Sequence, residues 1–517
     1  MAPVAPISTV PRAPALTAVR ALLVGAPILA FTWFAVVSQG FAATDESWFL
    51  QVVARVQSGE TLYRDVYFNA TPLSVYVSLG LAAVLGTELI AVRLLVTAAL
   101  VATIACCWQA CRLLGAGRFA PWLLVCAWAQ AAPYTPLAMA LFSASFFAVL
   151  AWTHRVQQDR PAWRWLGLAA GAAGLCFAAK QNLGLYCVAA VLMSIVAARP
   201  ARRDVLRAIG VVLGVFVAIA GVVMLPVYVS GGASRLLLHG LDKATYLRVG
   251  AVPYSAVGER FWRATAGGWS FDSFAAAYRE FAFLLPPVAF VLLAAACLRC
   301  RGGDRRMALV VTSFVGAGYL VVYPGQGGSS NIYALPVVIV GLAYGVSALR
   351  ASMPARWMQI LPVVVTVLFT VQVGLRYGRY AARLMSEQYV ISDLPHFQGI
   401  RAGKAEYAGL KGEVELLTAL AGGQPLFLIG PNTGFYYLAG GITNPDRFDF
   451  PYTTVFGRSG QQEVISRLVS GQTPSVFVFF QTMHEQTPRR LQEFVVTSMR
   501  PVRQERMGVL YRGVKVR

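Results

Sequence analysis

Residues 205–229, VLRAIGVVLGVFVAIAGVVMLPVYV, carry a single charge, Arg207, close to their start. A helix rises about 1.5 Å per residue, so this run reaches about 37 Å, enough to cross the ~30 Å hydrocarbon core of a bilayer. It reads as a membrane span. The same length test selects 16–38, 88–111, 119–134, 137–153, 164–179, 183–198, 281–298, 307–323, 332–349 and 357–375, eleven spans in all. The apolar run Thr71–Gly86, about 24 Å as a helix, is set aside because counting it as a span breaks the charge pattern described below. It is expected to lie along the interface.

Composition agrees. Of 517 residues 57% are hydrophobic and only 13% charged, against the ~25% charged of an ordinary soluble domain. Too little polar surface is left to coat a globule of this size. A net charge of +21, from 44 Lys+Arg against 23 Asp+Glu, would point to nucleic acid in a soluble chain. Beside spans it is explained by cationic loops, so nucleic acid is not expected as a partner.

With the N-terminus inside, the inner connections collect Arg112/Arg118, Arg155/Arg160/Arg164, Arg199/Arg202/Arg203/Arg207, Arg299/Arg301/Arg305/Arg306 and Arg350/Arg356. This is the Lys/Arg excess of short cytoplasmic loops. Counting Thr71–Gly86 as a span would move the later basic loops outside. The outer connections are then 39–87, Gln130–Pro136, Lys180–Asn182, the long loop 230–280, Tyr323–Asn331 and everything after about 376. From about Tyr377 charges become frequent, and helix-like Ala405–Leu420 and Gln461–Val469 alternate with strand-like Pro425–Gly430 and Ser475–Phe480. The expected architecture is an all-α polytopic membrane domain over 1–376 and a small α/β extracytoplasmic domain over 377–517, in the plasma (inner) membrane.

The eight cysteines lie in or at the edges of apolar runs, so no disulfide framework is indicated. Cys297 and Cys300 form a lone C-x-x-C with no further ligands nearby for zinc. No internal repeat is evident, which weighs against the inverted-repeat transporters.

Chemistry is sought in the first outer loop: Thr44-Asp45-Glu46-Ser47-Trp48-Phe49, then Gly59-Glu60-Thr61-Leu62-Tyr63-Arg64-Asp65, then Asn69-Ala70-Thr71-Pro72. Read locally, Thr44 caps a helix and the two acids oppose its positive end, worth about 0.3–1 kcal/mol each. Successive helical residues point about 100° apart, so at most one of the pair faces a reaction cavity.

An acidic pair after the first span, Gly59-x-x-Leu62-Tyr63-Arg64-Asp65 and the interfacial run, in that order, resemble the GT-C membrane glycosyltransferases. These take a sugar from a polyprenyl-phosphate carrier at the outer face, and include protein O-mannosyltransferases and the lipid A aminoarabinose transferase. Gly174-Leu-Cys-Phe-Ala-Ala-Lys180-Gln181-Asn182 resembles the family's span ending in Lys, and Tyr333-x-x-Pro336 its late Tyr-Leu-Leu-Pro element. The resemblance covers roughly 16–375. The turn Gln130–Pro136 departs from it, lacking the second acid that many members carry.

The resemblance implies an inverting transferase using a polyprenyl-phosphate-sugar donor and a lipid, glycan or protein acceptor among the membrane lipids. Asp45, with Glu46, is implied as the catalytic pair. Lys180, Arg64, Arg235, His239 and Arg263 are implied at the donor phosphate, and Asp65, Tyr63, Gln181, Asn182 and Tyr333 at the acceptor or cavity wall. No cofactor is expected, with a divalent metal left open. Two other readings stand beside it: a lipid-linked-sugar flippase or secondary transporter, which would place charges in mid-span, and a non-catalytic scaffold, which would tolerate loss of Asp45.

Overall fold

A computed structural model describes residues 37–41, 44–128, 134–160, 162–198, 202–237, 285–322, 335–350, 388–450, 452–473, 475–480 and 488–514, with scattered positions between 259 and 266 and between 360 and 385. The expected spans 16–38 and 357–375 therefore fall wholly or partly outside the described residues, as do His239 and Tyr333.

Helix α1 (Thr44–Gln57) and the apolar α2 (Leu73–Leu85) precede the bundle. The bundle helices are α3 (Leu89–Leu113), α4 (Tyr134–Val156), α5 (Trp163–Ala179), α6 (Gln181–Ala198), α7 (Arg202–Val229), α8 (Leu285–Arg299), α9 (Gly302–Val322) and α10 (Leu335–Leu349). Among the described residues four stretches have the length and apolarity of a span: Leu89–Leu113, Thr135–Val156, Gln181–Ala198 and Arg203–Val229. The 13 residues of α2 reach only about 20 Å, short of a bilayer core. One expectation is corrected. In place of an α-helical span over 119–134, the chain runs as a 3₁₀ helix over Gly117–Trp128 with Pro121 inside it. Proline has no N–H to donate, and the stretched 3₁₀ winding, rising about 2.0 Å per residue, carries this short segment further than an α-helix would.

The bundle packs through small residues. Ala169, Ala170, Ala173 and Cys176 of α5 have no exposed surface, which lets neighbouring helices approach closely. Between helices in lipid, such close packing supplies the association that hydrophobic burial supplies in water.

The two ends of the bundle differ. At one, Gln157 donates to the Gly303 carbonyl at 3.1 Å and Arg207 lies over Trp163 at 4.8 Å, so the arginine-rich connections meet there. At the other, the first outer loop meets the end of α5, the end of α7 and the C-terminal region: Thr71 donates to Phe177, Arg235 to Arg64, and the Tyr67 amide to Arg447.

The C-terminal region holds an antiparallel pair, β1 (Tyr389–Ile391) with β2 (Arg401–Gly403), and a four-stranded sheet of β3 (Phe427–Ile429), β4 (Ser475–Phe479), β5 (Met499–Glu505) and β6 (Gly508–Val514) in the order β3-β4-β6-β5. β3 and β4 are parallel, and β6 is antiparallel to both its neighbours. Every residue of β4, Ser-Val-Phe-Val-Phe, is buried, as befits a continuous apolar strand covered on both faces. Helices α11 (Lys404–Ala421), α12 (Thr433–Gly440), α13 (Thr453–Val469) and α14 (Arg489–Ser498) pack around it. This unit shares its core with the first loop. Trp48, Phe49 and Phe68 of the first loop join Phe427, Phe435, Phe448 and Phe450 in one apolar cluster, and the Trp48 and Phe450 rings stack at 5.2 Å.

Candidate active site

Asp45 and Glu46 open α1 and part at once: Asp45 is exposed while Glu46 is 5% exposed. Glu46 Oε2 accepts from Arg93 Nη2 at 2.9 Å and Nε at 3.2 Å. Arg93, also buried, donates further to the backbone carbonyls of Val37, Gln39 and Gly40 at 2.9–3.2 Å. One guanidinium on α3 thus fixes both the chain entering α1 and the second residue of the acidic pair. A cation inside an apolar span needs such partners. Glu46, expected in the catalytic pair, has its carboxylate engaged by Arg93.

Thr44, expected as the cap, lies within α1, and its hydroxyl donates to Asn432 Oδ1 of the C-terminal unit at 2.8 Å. Asn432 is the N-cap residue of α12, has φ +56°, and its side chain makes no capping bond to that helix. Capping by such a residue is ordinarily worth about 1 kcal/mol, and the left-handed backbone costs further energy. Beside it, Tyr452 is 3% exposed. Burial pushes its phenol up to about 12; the Thr44 hydroxyl opposes this and the Asp45 carboxylate adds to it. Two residues on, a Cβ on Gly434 would stand 2.7–2.8 Å from the backbone of Ser47 and Trp48. Only glycine lets α12 lie this close to α1.

The far end of α1 is tied to the same unit. Arg55 contacts Asp449 at 2.8 Å, Glu60 at 2.6 Å, and the carbonyls of Asp446 and Asp65 at 2.9 and 3.1 Å. Burial pushes the Asp449 carboxyl up, against the pull of Arg55 and Asn444.

The turn after α1 places its expected site residues unevenly. Tyr63 has φ +67° and is 1% exposed, its hydroxyl donating to the Ala70 carbonyl at 2.6 Å. Its hydroxyl holds the turn from within. Arg64 and Asp65 form an exposed pair at 2.8 Å. That contact and the Thr61 amide hold the Asp65 carboxyl at about 2, against a smaller burial effect. Arg64, expected at the donor phosphate, is occupied by its neighbour.

Further expected residues lie at the α5–α6 junction. Lys180 is the one extended residue between these helices and is half-buried. Thr71 donates to the Phe177 carbonyl at 2.5 Å, and Gln181 Nε2 to the Asn69 carbonyl at 3.4 Å, so the loop grips both sides of Lys180. Asn69 Oδ1 and Gln181 Oε1 are buried without a hydrogen-bond partner, a state that native interiors usually resolve with water or a ligand. Asn182 is exposed, its Oδ1 accepting the Leu183 amide at 2.9 Å. Arg235 donates to the Arg64 carbonyl at 2.9 Å, whereas exposed Arg263 pairs with Glu259 on its own segment. Among the described residues no three His, Cys, Asp or Glu side chains converge as metal ligands.

Sequence reasoning missed Arg93, Asn432, Gly434, Tyr452 and the Arg55–Asp449 pair. The available signals were Arg93 as a charge inside span 88–111, and Gly430-Pro-Asn-Thr-Gly434, a turn-rich string directly after a strand.

No protein-family model and no curated protein matches the sequence. Solved structures do resemble the fold. ArnT from Cupriavidus metallidurans bound to undecaprenyl phosphate is 15% identical, with 96% of this chain and 98% of that one covered and a TM-score of 0.52. Its apo state is 14% identical at the same coverages, with a TM-score of 0.51. The apo oligosaccharyltransferase of Archaeoglobus fulgidus is 10% identical, covering 89% of this chain and 69% of that one, with a TM-score of 0.52. At these identities the likeness is one of fold. The chain has the fold of the GT-C glycosyltransferases, as the ordered motifs of its first outer loop led us to expect.

Proposed function

We propose that this protein is an integral-membrane glycosyltransferase that moves a hexosyl or pentosyl group from a polyprenyl-phosphate-linked donor to a lipid, glycan or protein acceptor. The observation that carries the reading is the exposed carboxylate of Asp45, presented on a helix anchored at both ends, in a chain that shares its fold with an ArnT solved with undecaprenyl phosphate bound.

In the proposed reaction the acceptor hydroxyl attacks the anomeric carbon and gives its proton to Asp45. The bond from that carbon to the phosphate oxygen breaks, and its electron pair leaves with the polyprenyl phosphate. A single displacement inverts the anomeric centre. Lys180, in the junction gripped by Asn69 and Thr71, is assigned to the phosphate, where a fixed cation stabilises the negative charge that builds on departure. Arg235 supports the loop through the Arg64 carbonyl. The site end of the bundle and the C-terminal unit are assigned to the extracytoplasmic side of the plasma membrane.

The test is transfer of labelled sugar from a synthetic short-chain polyprenyl-phosphate donor pool by purified protein, with the anomeric configuration of the product read by NMR. Inverted product supports the reading. Retained configuration overturns the single displacement, and flipping of the donor without transfer overturns the enzyme.

A further inference from the structure

The acidic pair belongs to the first outer loop, yet its geometry is set from nearly four hundred residues away. Thr44 immediately precedes Asp45, and its hydroxyl is held by Asn432 Oδ1 at 2.8 Å. Asn432 is an unusual holder. It stands at the N-cap of α12 with a left-handed backbone, φ +56°, and spends its side chain on Thr44 instead of on its own helix. A residue that forgoes a local stabilising bond and accepts a sparsely populated backbone is kept there by something other than helix stability. The approach is enforced from both sides: Gly434 leaves no space between α12 and the Ser47–Trp48 backbone, and Thr433 donates to the Asp449 carbonyl at 2.6 Å. Asp449 in turn binds Arg55 at the other end of α1. Asn432, Thr433 and Gly434 are consecutive, so one short segment sets how far α1 stands from the C-terminal unit and where its first turn points.

We propose that Asn432 is a positioning residue for Asp45, acting through Thr44, and that the C-terminal unit is thereby a working part of the catalytic site. The inference rests on the reading of Asp45 as the general base. The titratable groups described beside Thr44 and Asp45 include Glu46, committed to Arg93, and Tyr452 from the C-terminal unit. A side chain at 432 therefore reaches the base through Thr44, and a charge placed there acts on Asp45 at short range.

The test compares wild type, Asp45→Asn, Asn432→Gly, Thr44→Val, the Asn432→Gly/Thr44→Val double variant and Asn432→Asp in the labelled-sugar assay, using full-length protein of matched thermal midpoint. Glycine keeps the left-handed backbone and removes only the acceptor. Asn432→Gly is expected to lower kcat about 10- to 100-fold, the scale of a misplaced reacting group, with the donor KM within about 2-fold of wild type. Thr44→Val should match it, and the double variant should be no worse than either single, since both break one contact. Asn432→Asp keeps an acceptor oxygen and should restore most of kcat. Its added negative charge should shift the acid limb of the kcat profile to higher pH, because a second carboxylate makes Asp45 harder to ionise. Wild-type kcat in Asn432→Gly alongside background activity in Asp45→Asn would overturn the positioning proposal and leave the transferase reading standing. Additive losses in the double variant, or an unshifted profile in Asn432→Asp, would do the same. Full activity in Asp45→Asn would remove the base and the proposal together.

Discussion

The Arg93 guanidinium grips the Glu46 carboxylate at 2.9 Å with both side chains almost wholly buried, while Asp45, one residue earlier, stays exposed. The same guanidinium reaches three backbone carbonyls at 37–40, so the charge is well solvated by protein. Removing one partner of a buried pair strands the other, at about 3–5 kcal/mol, whereas replacing both with apolar groups is close to neutral. Glu46→Ala is therefore expected to lower stability by about 3 kcal/mol or more in a detergent melt, and Glu46→Gln, which keeps an acceptor for Arg93, to recover much of it. A Glu46→Ala protein as stable as wild type would mean that the pair does not hold the loop.

Gly434 supplies a second test of the same anchoring. A methyl group there would overlap the Ser47–Trp48 backbone, which cannot swing aside as a flexible side chain would. Gly434→Ala should cost about 1–3 kcal/mol and expose the α1–α12 seam to limited proteolysis. Unchanged melting and protease resistance would show that the two helices can separate freely.

Acid sensitivity should trace to Asp65. Its carboxyl is held at about 2 in the fold, below its ordinary 3.8. Its contribution is present above the ordinary value and lost as pH falls through 3.8 toward 2. The pair with Arg64 is half open to solvent, so screening limits the effect to about 1 kcal/mol or less. Asp449 has the opposite sign: its carboxyl is raised by burial, so it favours the fold as pH falls through the raised value. The difference between wild type and Asp65→Asn isolates the first effect. Wild-type stability should exceed that of the variant at pH 5, and the gap should shrink to under half by pH 2.5 and go on shrinking toward pH 2. A constant gap would reject the assignment.

Lys180 sits where the loop grips α5 and α6. If it faces the departing phosphate, Lys180→Met should lower kcat by about 100-fold or more, the usual cost of removing one such stabilising group, with Lys180→Arg intermediate. Equal loss in both variants with an unfolded melt would assign Lys180 a structural role instead.

What was legible in the sequence was what local spacing controls. Ala405–Leu420 lies inside α11, Ser475–Phe480 contains β4, and Lys180 falls between two apolar helices where the span ended. Asp45 and Glu46 were separable by the angle between successive helical residues. The partners were not legible. Arg93 is 47 residues from Glu46, Asn432 is 388 from Thr44, and Asp449 is 394 from Arg55. No periodicity links residues so far apart. The same distance hid the shared core, since a composition change near 377 looks like a domain boundary whether or not apolar residues on its two sides pack together. Proline inside 117–128 hinted at irregular winding, but hydropathy alone does not distinguish a 3₁₀ segment from a short α-helix.

The central claim is that Asp45 is the base. Transfer of labelled sugar from the short-chain polyprenyl-phosphate donor pool, with wild type and Asp45→Asn compared at matched folding, measures it directly. Our account expects a loss of at least about 100-fold in Asp45→Asn, the lower range for removing a general base, with an unchanged melt and donor binding. Transfer by Asp45→Asn at the wild-type rate would contradict it.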